Sequence, residues 1–354
     1  MTSAVHALKL LDLVQSHRVT AVICVAARLG IAELLRDGPS SVNELAAATK
    51  ADRHALGRLL TALSTIGLCS RIGADRYALT EVGAALDGRA DHSFKDWAIF
   101  EGEMLYRSWS GMLETIMTGR TAAQLQGLDS SFDLMSRSAE NVRIFNAAMA
   151  DLTRFVTSDL LAAYDFGRIS HLLDVGGGSG QLIGALAKAY PNLRATAFDL
   201  PRCAEAAADH FRRQGVADRA SFLAGDFFET IPAIADAIVL KSVIHDWDDE
   251  HSRLILRNCR AALPANGVLL LVERVMSEVP TATDEDKAHA LSDLNMLRGP
   301  GGQERTEREY RLLLDEGGFQ LASIHPAGRF SLIEATIDSG RQQDERETAP
   351  VITV

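Results

Sequence analysis

Short β-rich apolar runs alternate with helical segments from residue 169 onward, and no other feature constrains the possible folds of this chain as strongly. Successive runs begin roughly 20–30 residues apart, which leaves room for one helix between each pair of parallel strands. The alternation therefore predicts an α/β fold of the Rossmann-like type with a parallel sheet. The predicted strands are 169–175, 194–198, 220–223, 237–240 and 268–272.

The size, composition and charge of the chain exclude several classes of protein. Its 354 residues are enough for two domains, and 47% hydrophobic with 23% charged residues is ordinary for a soluble globular protein. The formal net charge of −11 repels phosphate backbones and anionic membranes, so neither nucleic acid nor a membrane is an expected partner. Because no stretch approaches the ~20 apolar residues of a membrane helix and the N-terminus lacks a signal-peptide pattern, the expected location is cytoplasmic.

The cysteines are scattered along the chain without paired spacing. This is typical of reduced thiols in a cytosolic protein and indicates neither a zinc site nor a disulfide framework. The sequence also lacks a set of His, Cys and Asp residues with the spacing of metal ligands, so no metal is expected. The cysteines are Cys24, Cys69, Cys203 and Cys259.

The N-terminal half is predicted to be mostly helical, because apolar residues there recur at three- and four-residue spacing. Within it, Ser41 and Glu44 form a capping-box pattern that opens a short helix, and a second helix and two short strands follow. Helix, turn, helix and hairpin in this order are the winged-helix arrangement. The predicted helices and strands are 41–48, 52–66, 68–72 and 77–80.

A winged helix serves either DNA binding or protein packing, and its charge separates the two. The second predicted helix carries Arg53, His54 and Arg58, which would face the groove of a duplex. From Ser41 to Ala90, however, six Lys and Arg residues are balanced by five Asp and Glu residues, a net charge of +1. Because a net charge of +1 does not provide the basic surface that DNA binding requires, the sequence favours a packing or dimerisation module over a DNA-binding one.

The first predicted strand of the C-terminal half runs into a glycine-rich loop, DVGGGSG at 174–180, and a helix over 181–189. Glycines let the backbone adopt positive φ and approach a ligand closely. Dinucleotide-binding folds also use such a loop, but here the glycines alternate as G-x-G-x-G and an acid, Asp174, precedes them by two residues. The loop therefore suits a compact ligand with ammonium and carboxylate groups better than a pyrophosphate.

Acidic residues end the next two predicted strands as well. Asp199, at the tip of the second strand, occupies the position where ribose hydroxyls are commonly held. Asp226, followed by Phe227, suits an adenine, whose amino group donates and whose face stacks. An Asp at a strand end is usually only a cap or turn residue. Three such features at one sheet edge, in this order, indicate a nucleoside-containing cofactor.

The fourth predicted strand leads into the segment LKSVIHDWDDE, residues 240–250. Asp248 is a good N-cap for the helix that follows, which places His245 at the carboxyl edge of the sheet, where ligands bind in such folds. Position alone leaves two interpretations open for His245: a functional imidazole, or a structural histidine bonded to main chain.

In these segments the chain resembles the small-molecule O-methyltransferase family, which includes plant caffeate and flavonoid methyltransferases and bacterial polyketide and phenazine ones. The matching segments, in order, are LLDVGGGSG, FDLP, GDFF, LKSVIHDWDDE, LLLVERV and GGQERT, and the resemblance extends over residues 10–337. It implies a class I methyltransferase domain preceded by a mostly helical, winged-helix dimerisation domain. It also implies S-adenosylmethionine as cofactor, S-adenosylhomocysteine as product, a small aromatic acceptor and a homodimer.

The resemblance further implies roles for individual residues. His245 is expected to be the general base, with Glu273 and Glu304 flanking its imidazole. The residues expected to hold the cofactor are Gly176, Gly178, Asp199, Asp226, Phe227 and Lys241. The residues expected at the acceptor are Phe145, Met149, Asp246, Asn295 and Met296.

Several of these residues also have purely structural interpretations. Phe145 and Met149 lie at helical spacing and are core residues in many helices. Asn295 is also suited to capping or solvating its own helix. Glu304 directly precedes a capping-box pattern at 306–309, which allows a local role.

The sequence divides into four parts: a winged-helix dimerisation domain at 1–90, a helical linker contributing to the substrate pocket at 91–165, a cofactor-binding domain at 166–337, and a tail at 338–354 expected to be disordered. Three rival functions stay open. They are a ligand-sensing DNA-binding regulator, a family member diverged toward hydroxylation or decarboxylation, and a nicotinamide dehydrogenase. The charge of the winged helix argues against the regulator, the presence of His245 against the diverged family member, and the glycine pattern against the dehydrogenase.

Overall fold

The structure is a computed structural model that describes residues 4–131 and 138–337, and these residues form two compact units. The first unit consists of residues 4–112 and 138–155, and the second of residues 113–131 and 156–337. The segment expected to be a separate linker, 91–165, is thus divided between the units. The polar tail at 338–354 lies outside the described residues.

The first unit contains the predicted helix-turn-helix and hairpin. The Ser41 hydroxyl accepts from the Glu44 N–H while the Glu44 carboxylate accepts from the Ser41 N–H, so the capping box is formed. A two-residue strand that the sequence did not predict pairs with the hairpin and makes a three-stranded sheet. Up to residue 112 the elements are α1 (Ala4–Gln15), α2 (His17–Leu29), α3 (Ile31–Leu35), β1 (Ser40–Ser41), α4 (Val42–Thr49), α5 (Arg53–Thr65), β2 (Cys69–Ile72), β3 (Arg76–Leu79), α6 (Glu81–Ala84), α7 (Lys95–Phe100), a π-helical turn (Glu101–Leu105) and α8 (Tyr106–Trp109).

Helix α1 has no buried residue, and its large apolar side chains face outward. Leu10 and Val14 are each 62% exposed. By length and composition the segment Ala4–Leu29 is apolar enough to cross a membrane, contrary to the expectation from the sequence. The same length and composition also occur in helices that pack against another protein surface.

The second unit is built on a seven-stranded sheet with the order β11-β12-β8-β7-β4-β5-β6. Its elements are α9 (Met112–Thr118), a 3-10 turn (Gln124–Gln126), part of α10 (Ala139–Ala163), a 3-10 turn (Phe166–Arg168), β4 (His171–Val175), α11 (Gln181–Ala189), β5 (Arg194–Asp199), a 3-10 turn (Pro201–Cys203), α12 (Ala204–Gln214), β6 (Ala220–Ala224), β7 (Ala237–Lys241), a 3-10 turn (Ile244–Asp246), α13 (Asp249–Ala262), β8 (Val268–Glu273), β9 (Val275–Met276), α14 (Asp284–Arg298), β10 (Arg305–Thr306), α15 (Glu307–Glu316), β11 (Phe319–Ala327) and β12 (Phe330–Ile337).

The sheet is mixed, because an antiparallel hairpin that was not predicted extends the five predicted parallel strands. Strands β4 to β8 pair in parallel as predicted, but β12 lies antiparallel to both β8 and β11. A hairpin needs only a short turn and no crossover helix, so the regular strand and helix spacing that revealed the other strands is missing here. The turn contains Gly328, with φ +63°.

The strand order positions the functional site. The chain runs outward from β4 to β5 and β6, then returns to the other side of β4 to form β7 and β8. Ligands of open α/β sheets bind at the carboxyl ends of the strands, where the order reverses. The carboxyl ends of β4 and β7 flank this point, and they lead into the glycine loop and the His245 turn.

Candidate active site

The loop after β4 requires glycine for two reasons: positive φ angles and neighbouring atoms that leave no room for a Cβ. Gly176, Gly178 and Gly180 have φ of +74°, +54° and +71°, a region that side chains with a Cβ rarely adopt. A Cβ at Gly176 would lie 2.7 Å from a methyl group of Val243, and a Cβ at Gly180 would overlap the Phe211 ring. At Gly176 and Gly180 the loop therefore passes closer to its neighbours than a residue with a Cβ allows, while Gly178 is required by its backbone conformation alone.

The carboxylate of Asp199 is tied to this loop. Its Oδ2 accepts a hydrogen bond from the Gly178 N–H at 2.8 Å, and its Oδ1 accepts from the Leu200 N–H at 2.6 Å. Each oxygen keeps a second lone pair, so the same carboxylate can still accept from two ligand hydroxyls. Asp199 thus combines a turn-forming role with the geometry expected of a ribose-binding residue.

The end of β6 carries an aromatic cluster beside an acid. The Asp226 carboxylate accepts from the Phe228 N–H at 2.9 Å, and Asn258 donates to the carbonyl oxygen of Phe227 at 2.8 Å. The Phe227 ring lies 4.9 Å from the Phe228 ring and 6.2 Å from the Trp247 ring, centroid to centroid. These contacts fix one wall that is flat and apolar, with a carboxylate at its edge.

Asp174 lies beside the glycine loop, although it was not among the residues expected to hold the cofactor. It is 2% exposed at the end of β4, and a Cβ on Gly177 would lie 2.7 Å from its carboxylate. Burial raises the pKa of Asp174 to about 7, while the charge of Lys241 lowers it. A buried carboxylate of this kind favours a cationic ligand group, because the added positive charge stabilises its ionised form. Its place two residues before the first glycine was the signal in the sequence.

Lys241 and Ser242 end β7 and begin the turn toward His245. The Lys241 ammonium donates to the Ser242 hydroxyl at 3.2 Å, and burial lowers the pKa of Lys241. Ser242 has φ +55°, a strained conformation for a residue with a side chain. Its N–H nevertheless donates to the carbonyl oxygen of Val272, so the neighbouring strand β8 holds the strained residue in place.

The His245 imidazole faces two carboxylates. Nδ1 lies 3.1 Å from Glu273 Oε2 and 3.5 Å from Glu304 Oε2, while Nε2 lies 3.6 Å from Asp246 Oδ1. The His245 side chain is only 8% exposed, and both glutamate side chains are completely buried. No hydrogen bond from its ring to main chain occurs within the described residues, which argues against the purely structural interpretation.

Each glutamate is held by its other oxygen. Glu273 Oε1 accepts from the N–H groups of Val243 at 3.0 Å and Ile244 at 2.9 Å. Glu304 Oε1 accepts from the Ser292 hydroxyl at 2.7 Å and from Arg274 at 3.4 Å. Oε2 of both residues is therefore left to the imidazole. Ser292 and Arg274 were not identified from the sequence, because nothing in their local pattern shows which distant carboxylate they support.

The pairing of β9 with β10 brings Glu304 to the cluster. Arg305 lies opposite Val275 in this short parallel ladder, so Glu304 sits just beyond the end of β8, where Glu273 lies. Because these strands are only two residues long, they carry no periodic signal in the sequence.

The electrostatics of the cluster favour a proton on the imidazole. Burial alone would lower the pKa of His245, but the negative charges of Glu273 and Glu304 raise it to about 9. Burial alone would raise the pKa of Glu304, but the nearby imidazole lowers it to about 2. Burial also raises the pKa of Asp246 to about 6. The carboxylates therefore make the imidazole an unusually strong base.

The residues expected at the acceptor are divided between the two units. Asp246 adjoins His245, and Met296 is buried in α14. The Asn295 carboxamide oxygen accepts a hydrogen bond from the Arg298 side chain in its own helix, a local interaction other than the capping that the sequence suggested. Phe145 and Met149 lie in the first unit, partly buried against its core, with the Phe145 ring edge-on to Phe100 at 5.7 Å.

One group of side chains in the described part of the chain has the donors and spacing of a metal site. The coordinating atoms of His245, Glu273 and Glu304 all lie within 4.8 Å of one another. The same arrangement is accounted for by a proton shared between an imidazole and two carboxylates. The absence of a metal therefore stays a prediction, which is tested below. All four cysteines are free thiols.

Comparisons with known proteins identify the family to which this fold and sequence belong. Residues 109–320 match the model of the O-methyltransferase domain, and residues 11–87 match that of the O-methyltransferase dimerisation domain. The chain is 38% identical to a phenazine O-methyltransferase of Lysobacter antibioticus over 92% of this chain and 95% of that protein. It is 31% identical to an 8-amino-8-demethylriboflavin N,N-dimethyltransferase of Streptomyces davaonensis, over 88% of this chain and 89% of that protein.

A solved structure adds the cofactor to these comparisons. It is an O-methyltransferase from neocarzinostatin biosynthesis in complex with S-adenosylmethionine and 2-hydroxy-5-methyl naphthoic acid. It aligns with a TM-score of 0.74 and 31% identity, over 90% of this chain and 96% of that one. The fold and cofactor expected from the sequence are therefore confirmed. The chain belongs to the O-methyltransferase family and is a methyltransferase that uses S-adenosylmethionine.

Proposed function

We propose that this methyltransferase transfers the methyl group to a hydroxyl of a small, flat aromatic acceptor, with His245 as the general base. The observation that carries this proposal is the contact of His245 Nδ1 with two buried carboxylates, at 3.1 and 3.5 Å. It leaves Nε2 as the ring nitrogen that can take a proton. A structural histidine has no need of two buried acids on one nitrogen.

The residues at the sheet edge fit S-adenosylmethionine. The glycine loop and the buried Asp174 suit the amino acid part, whose ammonium group stabilises the ionised carboxylate. Asp199 suits the ribose, and Asp226 with Phe227 suits the adenine. The bound cofactor supplies a methyl group already activated by its sulfonium centre.

The protein then contributes position and proton transfer. Holding the acceptor oxygen in line with the methyl group can lower the barrier by roughly 7–11 kcal/mol. A phenol has a pKa near ~10, close to the value of about 9 for His245, so proton transfer between them is nearly balanced. Glu273 and Glu304 stabilise the imidazolium that forms, in the way the acid of a hydrolase triad does.

Aromatic acceptors are supported by what the relatives act on. The names of the relatives include a phenazine, a riboflavin derivative and a naphthoic acid, all of them flat ring systems. Met296, expected at the acceptor, contributes a buried apolar surface. The riboflavin relative methylates nitrogen, which makes an aromatic amine the second candidate acceptor.

The test is a panel of matched acceptors, phenols and anilines on the same ring systems, incubated with methyl-labelled S-adenosylmethionine. The proposal predicts label on oxygen. Label on the amines alone would replace it with N-methylation, and oxidised or decarboxylated products without label would indicate diverged chemistry.

We also propose that the first unit mediates homodimerisation and that the apolar segment Ala4–Leu29 is covered by a second copy rather than by lipid. The match to a dimerisation domain over residues 11–87 covers most of this segment. The exposed apolar side chains of α1 supply a surface that such an interface would bury.

A further inference from the structure

The backbone turn that carries His245, residues 243–247, has carbonyl groups that accept hydrogen bonds from two buried side chains: Arg305 at 2.9 and 3.1 Å, and the Ser252 hydroxyl at the longer distance of 3.4 Å. We propose that Arg305 is a positioning residue, which fixes this turn and through it the imidazole of His245. The inference rests on the proposed function, because it concerns the orientation of the proposed base.

Arg305 contacts the turn on both sides of His245. Its Nη1 donates to the Ile244 carbonyl at 3.1 Å, and its Nη2 donates to the Trp247 carbonyl at 2.9 Å. Arg305 is 1% exposed, the largest fully buried side chain in the described part of the protein. A planar guanidinium can hold two carbonyl groups at a fixed separation, which a lysine ammonium cannot do.

The charge of Arg305 is balanced beside the turn. Its Nε and Nη2 donate to Asp249 Oδ1 at 3.1 and 2.8 Å, and Gln303 donates to the same oxygen at 3.0 Å. Asp249 is the first residue of α13 and half-exposed. A buried arginine without such a partner would strongly destabilise the fold, and the ion pair with Asp249 removes this penalty.

The other side of the turn is held from β8 and from the segment before β10. Glu273 accepts from the N–H groups of Val243 and Ile244, so carbonyls and N–H groups of the same turn are both fixed. A Cβ at Gly302 would overlap the carbonyl oxygen of His245, so the backbone at 302 packs directly against it.

Two consecutive residues therefore act on His245 in different ways. Side chains of neighbouring residues in an extended segment point in opposite directions. Glu304 faces the imidazole, and Arg305 faces the carbonyl groups of the turn that carries it. The GGQERT motif thus contains both Glu304, which contacts the imidazole, and Arg305, which holds the backbone of the turn.

The experiment compares Arg305→Met and Arg305→Lys with the unmodified enzyme. Because a displacement of about 1 Å can lower a rate by ~10²-fold, we expect Arg305→Met to reduce kcat by roughly 10- to 100-fold. Arg305→Lys should recover only part of it. Calorimetry with S-adenosylhomocysteine should show a much smaller change in Kd than in kcat, since Arg305 itself contacts the His245 turn and not the glycine loop.

A second readout separates positioning from general stability. NMR of ¹⁵N-labelled histidine in the S-adenosylhomocysteine complex reports the titration of His245 directly. In Arg305→Met its midpoint should fall toward the ordinary histidine value as the ring moves away from the carboxylates. Arg212→Met is the control, because it removes an exposed ion pair with Asp209 within α12, contacts no residue of the turn, and should change neither kcat nor the His245 titration.

Gly302→Ala covers the case in which Arg305→Met does not fold. It displaces the same turn without changing a charge, and it should lower kcat and the titration midpoint together. Gly57→Ala, whose Cβ would only meet a Val42 methyl group at 3.6 Å, is its control.

The inference is overturned if the Arg305 and Gly302 variants keep the parental kcat and His245 midpoint, or lose activity only in proportion to folded protein. Activity retained in His245→Ala would instead overturn the proposed function. The NMR midpoint would still show whether Arg305 orients the ring.

Discussion

His245, Glu273 and Glu304 form a buried polar cluster, and burying such groups destabilises the folded state. His245 Nδ1 and Oε2 of Glu273 and Glu304 are buried, close together, and without a well-aligned hydrogen bond in the described structure. Buried charges that are incompletely paired destabilise a fold, and such groups concentrate at functional sites. The cluster lies at the carboxyl edge of the sheet of a methyltransferase, which supports the proposed catalytic role.

His245→Ala should bind S-adenosylhomocysteine with unchanged affinity and lose most turnover. General base catalysis typically contributes ~10²–10⁴-fold, and kcat with a phenolic acceptor should fall by that factor. His54→Ala removes an exposed histidine of the first unit and is the control. Methylation by His245→Ala at the parental rate would rule out the base assignment.

The rate should depend on pH through His245. Only the neutral imidazole accepts a proton, so kcat/KM should rise with pH and level off above the His245 pKa of about 9. Glu304→Gln removes one of the two charges that raise this pKa, so its profile should level off at a lower pH, with a lower plateau. Identical pH profiles for the unmodified enzyme and Glu304→Gln would show that the rate does not depend on the titration of His245.

Chelation should leave the activity unchanged. The His245 cluster has donors and spacing that could hold a divalent cation, but base catalysis requires a ring nitrogen that can take a proton. We therefore expect the same kcat before and after dialysis against EDTA, and no increase on adding Mg²⁺ or Zn²⁺. Activity that is lost on dialysis and restored by one metal would contradict the proton-sharing interpretation.

At the scale of secondary-structure elements, the site consists of loops at the carboxyl ends of parallel strands. β4 leads into the glycine loop, β5 ends at Asp199, and β7 leads into the His245 turn. The strands are apolar and buried, so they are rigid, while the loops carry the polar residues. This separation lets the sheet fix the positions from which several short loops act together.

Asp199→Ala tests the link between β5 and the glycine loop. The variant loses a hydrogen bond to Gly178 and its expected contacts with the ribose. Hydrogen bonds to charged groups contribute about 1.5–3 kcal/mol, so the Kd for S-adenosylhomocysteine should rise by roughly 10- to 150-fold. Asp236→Ala is the matched control, because Asp236 also accepts from two backbone N–H groups, Ser170 and His171, at the opposite end of β4. Calorimetry that finds equal affinities for both variants would contradict the assignment.

At the scale of the whole molecule, the exposed apolar surface of α1 indicates an interface with another molecule. Large apolar side chains cover this helix, and contiguous apolar patches on soluble proteins mark interfaces. Residues 11–87 match a dimerisation domain, which supports the proposal that this partner is a second copy of the chain.

Introducing charges into this surface should produce monomers. We expect the unmodified protein to be a dimer by light scattering, and Leu10→Asp/Val14→Asp to be a monomer, because both side chains are 62% exposed one helical turn apart. The control is Leu113→Asp/Met117→Asp on α9, whose side chains are 77% and 76% exposed, and which should stay dimeric. A monomeric parent that sediments with lipid vesicles would favour a membrane interaction instead.

The local features were predictable from the sequence because they depend on residues close along the chain. The capping box at Ser41, the glycine loop and five of the seven strands of the main sheet follow from short-range propensity and periodicity. The resemblance to known methyltransferases, carried by motifs such as HDWDDE and GGQERT, identified the family and proposed Glu273 and Glu304 as partners of His245.

Other features depend on contacts between distant segments, and only the tertiary structure decided them. The antiparallel hairpin at the sheet edge, the support of Glu304 by Ser292 and Arg274, and the buried Arg305 beneath the His245 turn have no local signature. Hydrogen bonding and burial act between atoms that are close in space. A sequence shows which groups are available for such contacts, and the fold determines which of them meet.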